Sequence, residues 1–427
     1  MVCAKSHRKI GKWVTWVALL LFACSRGSTL EEHTTSSETA QCDSSNIRQE
    51  EIGSITNCPI QRLRISAVGD IMLHDYQMRK AYRNDTDTFD FSPVFQQIQP
   101  YLDEADLLIG NLETVFGGKK KGRDTSDYGY GTFPYFNAPD CFATTLSEAG
   151  FDWLATANNH ILDAYPAGIT RTLNLLDSLG IAHHGTSRDS TERQALSIIE
   201  KNGIKVGLLS YTHSLNGIHL KKEHSFMVNE YRKYDSTKVS EMCAVARRLR
   251  EAGADFTIAY LHCGTEYQRT PNRYQRRMAD SLHKAGCDLI LMSHPHILQR
   301  LEIIPPTEEQ RGSLVAYSLG NFLSSQVYSD SIPKDIGAIL EVTIRKDSCG
   351  TAIDQVSVVP TYTYWRKSHI GILPVIQAYN HPDSLFHLYK RDKERVKDAF
   401  SKTLITLRGK MDSTLWSIDD DRYLLKW

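Results

Sequence analysis

Six apolar runs of strand length, each stopped by a knot of polar residues, constrain this chain more than any other feature. Residues 63–68 (LRISAV) end in Gly69 and Asp70, and 105–110 (ADLLIG) in Asn111, Leu112 and Glu113. Residues 151–157 (FDWLATA) end in Asn158, Asn159 and His160, and 255–261 (DFTIAYL) in His262. Residues 287–292 (CDLILM) end in Ser293, His294, Pro295 and His296, and 313–319 (SLVAYSL) in Gly320 and Asn321. Most of these runs are rich in β-branched or aromatic residues, as strands are. Between several of them lie stretches with helical spacing, 138–150, 166–180 and 272–286, closing on Gly150, Gly180 and Gly286; Pro166 opens the second. Proline at the start and glycine past the end is the usual asymmetry of helices.

Residues 197–212 predict a β-hairpin around Asn202-Gly203, a type I′ turn signal. Further strands are expected over 336–344 and 355–364, and a charged helix over 383–410. Strands alternating with helices predict an α/β fold, and the late run of strands predicts mixed sheets, two in number. In such folds functional groups gather at the carboxyl ends of strands, which is where the unusual residues stand.

With 427 residues, 41% of them hydrophobic, the chain can bury a large core in one big domain or two ordinary ones. Fifty basic residues balance fifty acidic ones. That argues against a nucleic-acid binder relying on bulk positive charge, and no nucleic-acid partner is expected.

The first 24 residues are a leader. Lys5, Arg8, Lys9 and Lys12 precede an apolar stretch over 13–23 that is short for a membrane span and suits a signal peptide. It ends in LFAC, like a bacterial lipobox, so that lipid on Cys24 would anchor an exported protein in the cell envelope. Ordinary cleavage or an uncleaved anchor are the alternatives. Residues 25–60, poor in large apolar side chains, read as a flexible tether. The cysteines include no CxxC pair. A Cys42–Cys58 bridge is compatible with export, but spacing does not determine pairing.

Asp70, Glu113, Asn159, His262, His294 and His296 carry carboxylate, amide and imidazole donors, which suit borderline divalent metals such as Zn, Mn or Fe. Taken singly, a histidine in a polar loop is more often structural than a ligand. Repetition of the pattern at successive strand ends shifts that balance.

The motifs AVGDIML, NLE, TANNHILD, LHCGTEY, SHPHILQ and AYSLGNF, in this order, resemble those of the CapA family, the poly-γ-glutamate capsule-synthesis domain. The likeness covers roughly 63–325 and implies a fold similar to the calcineurin-like metallophosphoesterases, here spanning 61–370, followed by a C-terminal helical extension over 371–427. It also implies one or two divalent ions held by Asp70, Glu113 (as a bridge), Asn159, His262, His294 and His296. His160 would act on the substrate, with Asp163 fixing its tautomer, although Asp163 and Asn158 could instead cap the next helix. Asn158, Glu266, Tyr267 and Asn321 would contact substrate. The chain departs from the pattern at Met72, where a ligand histidine is usual and only His74 stands nearby. Glu113 replaces an aspartate, Cys263 a tryptophan and Tyr165 a glycine. What the resemblance implies is envelope polymer metabolism: a metal-dependent hydrolase acting on a phosphoester or amide, with an anionic polymer or phosphoester as substrate, or a polymer-binding protein that helps a membrane-bound polymer synthase. His183-His184 is expected to be a polar loop pair, and the basic run 119–123 a solvated loop or a polyanion contact.

Overall fold

The computed structural model describes residues 59–427 apart from 122–125, 233–234 and 330. The leader, most of the tether, Cys24, Cys42, Cys58 and Arg123 lie outside the described residues.

Two sheets face each other. The ten-stranded sheet is built around Gln61–Ile71, which pairs in parallel with Leu107–Leu112 and Asn321–Leu323 and antiparallel with Ile336–Asp347. Trp153–Ala155 and Ala182–His184 continue the parallel side, and Gly350–Trp365 extends the antiparallel side. The six-stranded sheet has a parallel centre of Ile204–Thr212, Phe256–His262, Leu289–Ser293 and Ser313–Ala316, with antiparallel edges. The hairpin turn is as expected, with Asn202 at φ 51° and Gly203 at φ 75°.

Strand alternation explains the layering, because successive side chains point to opposite faces. Leu63, Ile65 and Ala67 meet Phe256, Ile258 and Tyr260 in the core between the sheets. Leu108 and Leu112 face outward onto Phe142 and Leu146 of the helix Asp140–Glu148. Ala259 and Leu261 face outward on the other side, onto the helices Ser236–Glu251 and Arg273–Lys284. Helices thus cover both outer faces, and each central strand is buried on both sides, which explains the near-continuous apolar runs.

Register then brings the polar strand ends together. Asp70 pairs with Asn111 on one side and Asn321 on the other, where the pairing of Gln61–Ile71 becomes irregular. Gly69 permits this: a Cβ there would lie 1.9 Å from the carbonyl oxygen of Gly320. In the second sheet His262 pairs with Ser293. Tyr260 ties the sheets near these ends, its hydroxyl donating to the Val68 carbonyl at 2.6 Å.

The extension after residue 370 is helical over Val375–Asn380 and Lys390–Arg408. Arg395 anchors the longer helix through a two-point pair with Asp335 at 2.9 and 2.6 Å. The last residues return as the hairpin Trp416–Ile418/Tyr423–Leu425, which adds to the edge of the ten-stranded sheet. The cysteines within the described residues are all free thiols, and no helix among them is long and apolar enough to cross a membrane.

Candidate metal centre

The strand ends of the two sheets converge on one buried cluster. Three overlapping triples each bring their ligand atoms within 4.8 Å of one another: Glu113, His262 and His294; Asp70, Glu113 and His296; and Glu266, His294 and His296. Glu113 belongs to the first two, the shared position expected from the resemblance. Its Oε1 lies 3.5 Å from His262 Nε2 and 3.8 Å from His296 Nε2.

Burial and charge are uncompensated here in a way that suits a cation. Asp70, Glu113 and His262 are at most 1% exposed. Burial, then the neighbouring Asp70, raises the Glu113 carboxyl well above the usual range. Burial, then the other histidines, holds His262 and His294 well below theirs, so both are neutral. His296 is pulled down by burial, but its 3.2 Å contact to Asp70 Oδ2 outweighs that and leaves it raised.

The donor set fits a divalent ion on a direct observation. Glu113 Oε1 and Asn159 Oδ1 are buried acceptors with no hydrogen-bond partner among the described residues. An abandoned buried acceptor is costly, and natural proteins rarely leave one. His294 Nδ1 and His262 Nε2 lie 3.1 Å apart, so that without a cation one neutral ring donates to the other. The other nitrogen of His262, Nδ1, lies 3.0 Å from Ser293 Oγ and 3.3 Å from Asn111 Nδ2. A cation between Glu113 and the facing imidazole nitrogens would satisfy the orphaned Glu113 oxygen.

The backbone is held in unfavourable conformations at the same place. His294 has φ 97° and His296 φ 57°, a region where non-glycine residues are uncommon. Strain of this kind persists only where the surroundings enforce it, and it collects at functional sites. Pro295 between them fixes the turn, and its carbonyl accepts from Tyr267 N at 2.9 Å. Gln299 supports the same loop, donating to the Gln268 carbonyl at 2.6 Å.

His160 stands beside the cluster with its role prepared. Its Nδ1 lies 2.7 Å from Asp163 Oδ2, which also accepts the Phe136 N–H at 2.6 Å. The carboxylate therefore holds Nδ1–H and leaves the lone pair on Nε2. Asp163 is 1% exposed and makes no side-chain cap on the helix Tyr165–Ser178.

Other expected residues sit differently. Asn158 is fully buried, accepting from His160 N at 3.0 Å and donating to the Leu112 carbonyl at 2.7 Å, so both ends of its amide hold the loop rather than meet a substrate. Asn321 is 1% exposed; its oxygen lies 3.1 Å from His296 Nδ1 and its nitrogen donates to the Lys334 carbonyl, so it orients His296. Glu266, expected on the substrate, joins a ligand triple and is exposed. Tyr267 lines the site, its ring centroid 6.1 Å from that of His296.

Met72 is buried and takes no part. His74 joins none of the ligand triples. It sits at the helix start, its Nδ1 3.2 Å from Gln77 Oε1, and burial lowers it to about 3. His183 is turned to Asp177 at 3.1 Å, and His184 Nδ1 accepts the Ser210 N–H at 2.9 Å, so the pair is structural.

Asn111, expected only as a polar strand end, proves central. Its Nδ2 lies 2.8 Å from Asp70 Oδ1 and 3.3 Å from Glu113 Oε2, between two carboxylates that would otherwise repel. The signal for it was its position one strand over from Asp70, which only the register reveals.

These features define an α/β protein of two mixed sheets with a candidate centre for divalent metal where their strand ends meet. The chain belongs to the bacterial capsule synthesis protein PGA_cap family, whose profile matches residues 64–326. It is 27% identical over 381 residues to the capsule biosynthesis protein CapA of Bacillus anthracis, covering 89% of this chain and 81% of that one. It is 26% identical over 291 residues to the PGA biosynthesis protein CapA of Bacillus subtilis (strain 168), covering 67% and 69%. A solved structure titled calcineurin-like phosphoesterase YfkN from Bacillus subtilis aligns over 81% of this chain and 97% of that one, at 17% identity and a TM-score of 0.38. The family assignment rests on the profile match and not on that superposition.

Proposed function

We propose that this protein is a metal-dependent hydrolase of capsule or exopolymer assembly, acting on a phosphoester or amide bond of an anionic polymer or its precursor. The observation that carries the reading is Glu113, a buried carboxylate with an unpartnered oxygen shared by two ligand triples. Asp70, Glu113, Asn159, His262, His294 and His296 would hold one or two ions of Zn, Mn or Fe, with Glu266 within reach of the second imidazole pair. The chemistry such an ion supplies is Lewis-acid polarisation and acidification of a water toward neutral pH. His160 Nε2, oriented by Asp163, would donate a proton or a hydrogen bond to the developing negative charge. Asn111 keeps Asp70 and Glu113 in place, and Asn321 fixes His296.

The relatives named for capsule and PGA biosynthesis support the cellular role. The leader and Cys24 support export and lipid anchoring at the cell envelope, beside a membrane-bound polymer synthase. A second reading is favoured by Met72, which stands buried where a ligand is usual: the centre then grips polymer without turnover.

The test is elemental analysis of the tag-free protein purified without chelators, beside the His294→Ala/His296→Ala variant, followed by turnover of phosphoester and γ-glutamyl substrates. Bound transition metal lost in the variant, with product released by the wild type, supports the hydrolase. Metal without turnover selects the binding reading. No metal, even after incubation with Mn²⁺ or Zn²⁺, refutes the centre.

A further inference from the structure

A groove of about 340 Å³ opens between the loops that follow several candidate ligands in the chain and the C-terminal extension. One wall is the helix Lys390–Arg408, the segment that lies beyond the family match. The other wall is made by residues that directly follow the candidate ligands: Ile297 and Leu298 come after His296, and Arg269 comes three residues after Glu266. The groove and the centre therefore share two loops. Lys334 adds to the continuity, its Nζ 5.1 Å from the centre of the Tyr267 ring, which in turn stands beside His296. Its neighbour Pro333 lines the groove.

The groove combines an apolar floor with a basic rim. Ile297 and Leu298 form buried floor, and Ile405 on the helix is 62% exposed. Arg269, Arg300, Lys402 and Lys410 stand around it, and Asp398 is its acidic lining residue. That carboxylate is already held by Arg395 at 2.8 Å and by Lys402. Arg300 is turned onto Glu302, while Arg269 reaches the Ser331 carbonyl. The charge of Arg269 and Lys410 is left over, at opposite sides of an apolar trough. A ligand matching this pattern is a flexible chain with methylene groups along its backbone and carboxylates at intervals.

We propose that the groove is a subsite for an anionic polymer chain, holding the segment next to the one presented to the metal centre. This rests on the reading of the centre as acting on such a polymer. The C-terminal extension then supplies polymer grip, while the strand-end cluster supplies chemistry. Cation–carboxylate contacts on an exposed rim are individually weak, and it is several together with the apolar floor that give useful affinity.

The experiment measures binding of fluorescein-labelled poly-γ-glutamate to the full chain by anisotropy, at low and raised salt. It compares wild type with Lys402→Glu/Lys410→Glu and with Lys402→Gln/Lys410→Gln, the second pair being free of repulsion with Asp398. Lys402 pairs with Asp398 on the surface helix and Lys410 lies just past it, so the glutamine pair should keep nearly the wild-type unfolding midpoint and the glutamate pair should lower it slightly. The expected result is affinity reduced about tenfold by charge reversal and less by neutralisation, with a shallower salt dependence. Unchanged affinity in the charge-reversed protein overturns the proposal, as does a wild type that does not bind the polymer. So does loss of binding in Ile405→Ser with retention in both lysine pairs, which would mark an apolar partner instead. Metal content and turnover of a small phosphoester, unchanged in the lysine variants, judge the hydrolase reading separately.

Discussion

Two kinds of enclosed histidine occur in this molecule, and burial does not tell them apart. His184 is enclosed at the sheet edge, and its Nδ1 accepts the backbone N–H of Ser210 at 2.9 Å. His283 is 8% exposed and its Nδ1 meets Ser313 Oγ at 2.7 Å, a hydroxyl that itself donates to the Cys287 carbonyl. These rings are satisfied by ordinary protein groups. His262 and His294 instead stand with each other around Glu113, whose Oε1 is a buried oxygen with no hydrogen-bond partner among the described residues. What separates a candidate ligand from a packed histidine is the deficit left around it.

The largest effect expected from this contrast is on metal. His294→Ala/His296→Ala should lose bound metal and, with it, turnover by several orders of magnitude. The metal-free form of that variant should remain folded, though less stable than metal-free wild type because it loses the contacts of His296 to Asp70 and Asn321. His184→Ala should do the reverse, retaining metal and activity. It strands the fully buried Ser210 N–H, which costs about 1–3 kcal/mol in a denaturant titration. If His184→Ala sheds metal, or the double variant unfolds without metal, the division fails.

His160→Ala tests the residue that stands between the two kinds, partnered by Asp163 yet beside the cluster. Turnover should fall about 10²–10⁴-fold, the range for a positioned acid or base, while metal content stays at the wild-type level. Metal loss would move His160 among the ligands. Asp163→Asn should retain metal too, with a smaller loss of rate because the ring keeps its place but not its preferred tautomer.

Much of this was legible in the sequence. The six apolar runs form strands or lead into them, their polar ends meet, and the helices 140–148, 165–178 and 273–284 fall where spacing and glycines put them. That Asp70, Glu113, His262, His294 and His296 gather in one place was legible because strand ends of a parallel sheet share one edge. What the sequence could not show depended on register and on what each polar atom faces. Asn111 becomes the link between Asp70 and Glu113 only because Asp70 pairs with it across the sheet. Asn158 and Asn321 look like substrate contacts in a motif, yet their amides are consumed by backbone groups and by His296. The helix Ser236–Glu251 carries many charges among its apolar positions, and only the packing of its Met242, Ala246 and Leu249 in one cluster with Leu209 and Leu261 makes its inner face plain.

Acid should also expose the satisfied histidines. Burial lowers His184 to about 3, against 6.5 unfolded. Between those values the unfolded chain binds a proton at this residue and the folded one does not, so stability is held above pH 6.5 and lost as pH falls toward 3. The slope is about 1.4 kcal/mol per pH unit for each such histidine. Denaturant titrations from pH 7 to 4 should show that slope reduced by one proton in His184→Gln. An unchanged slope would mean that the ring is hydrated in the folded state.

The smallest expected effect concerns Tyr165, where relatives of this resemblance usually carry glycine. It has φ 62° and is 48% exposed, so the left-handed conformation is not repaid by burial of the ring. A bulky residue there costs about 1–2 kcal/mol of local strain, partly offset by the entropy glycine would lose on folding. Tyr165→Gly should therefore raise stability by about 0.5–1 kcal/mol, seen as a higher denaturant midpoint at unchanged m-value. The residue lies two positions after Asp163, at the start of the helix Tyr165–Ser178. If polymer or substrate affinity drops in the stabilised variant, the strain is carried for the exposed ring. If affinity holds, Tyr165 is a tolerated departure, and strain with a functional reason is confined to His294 and His296.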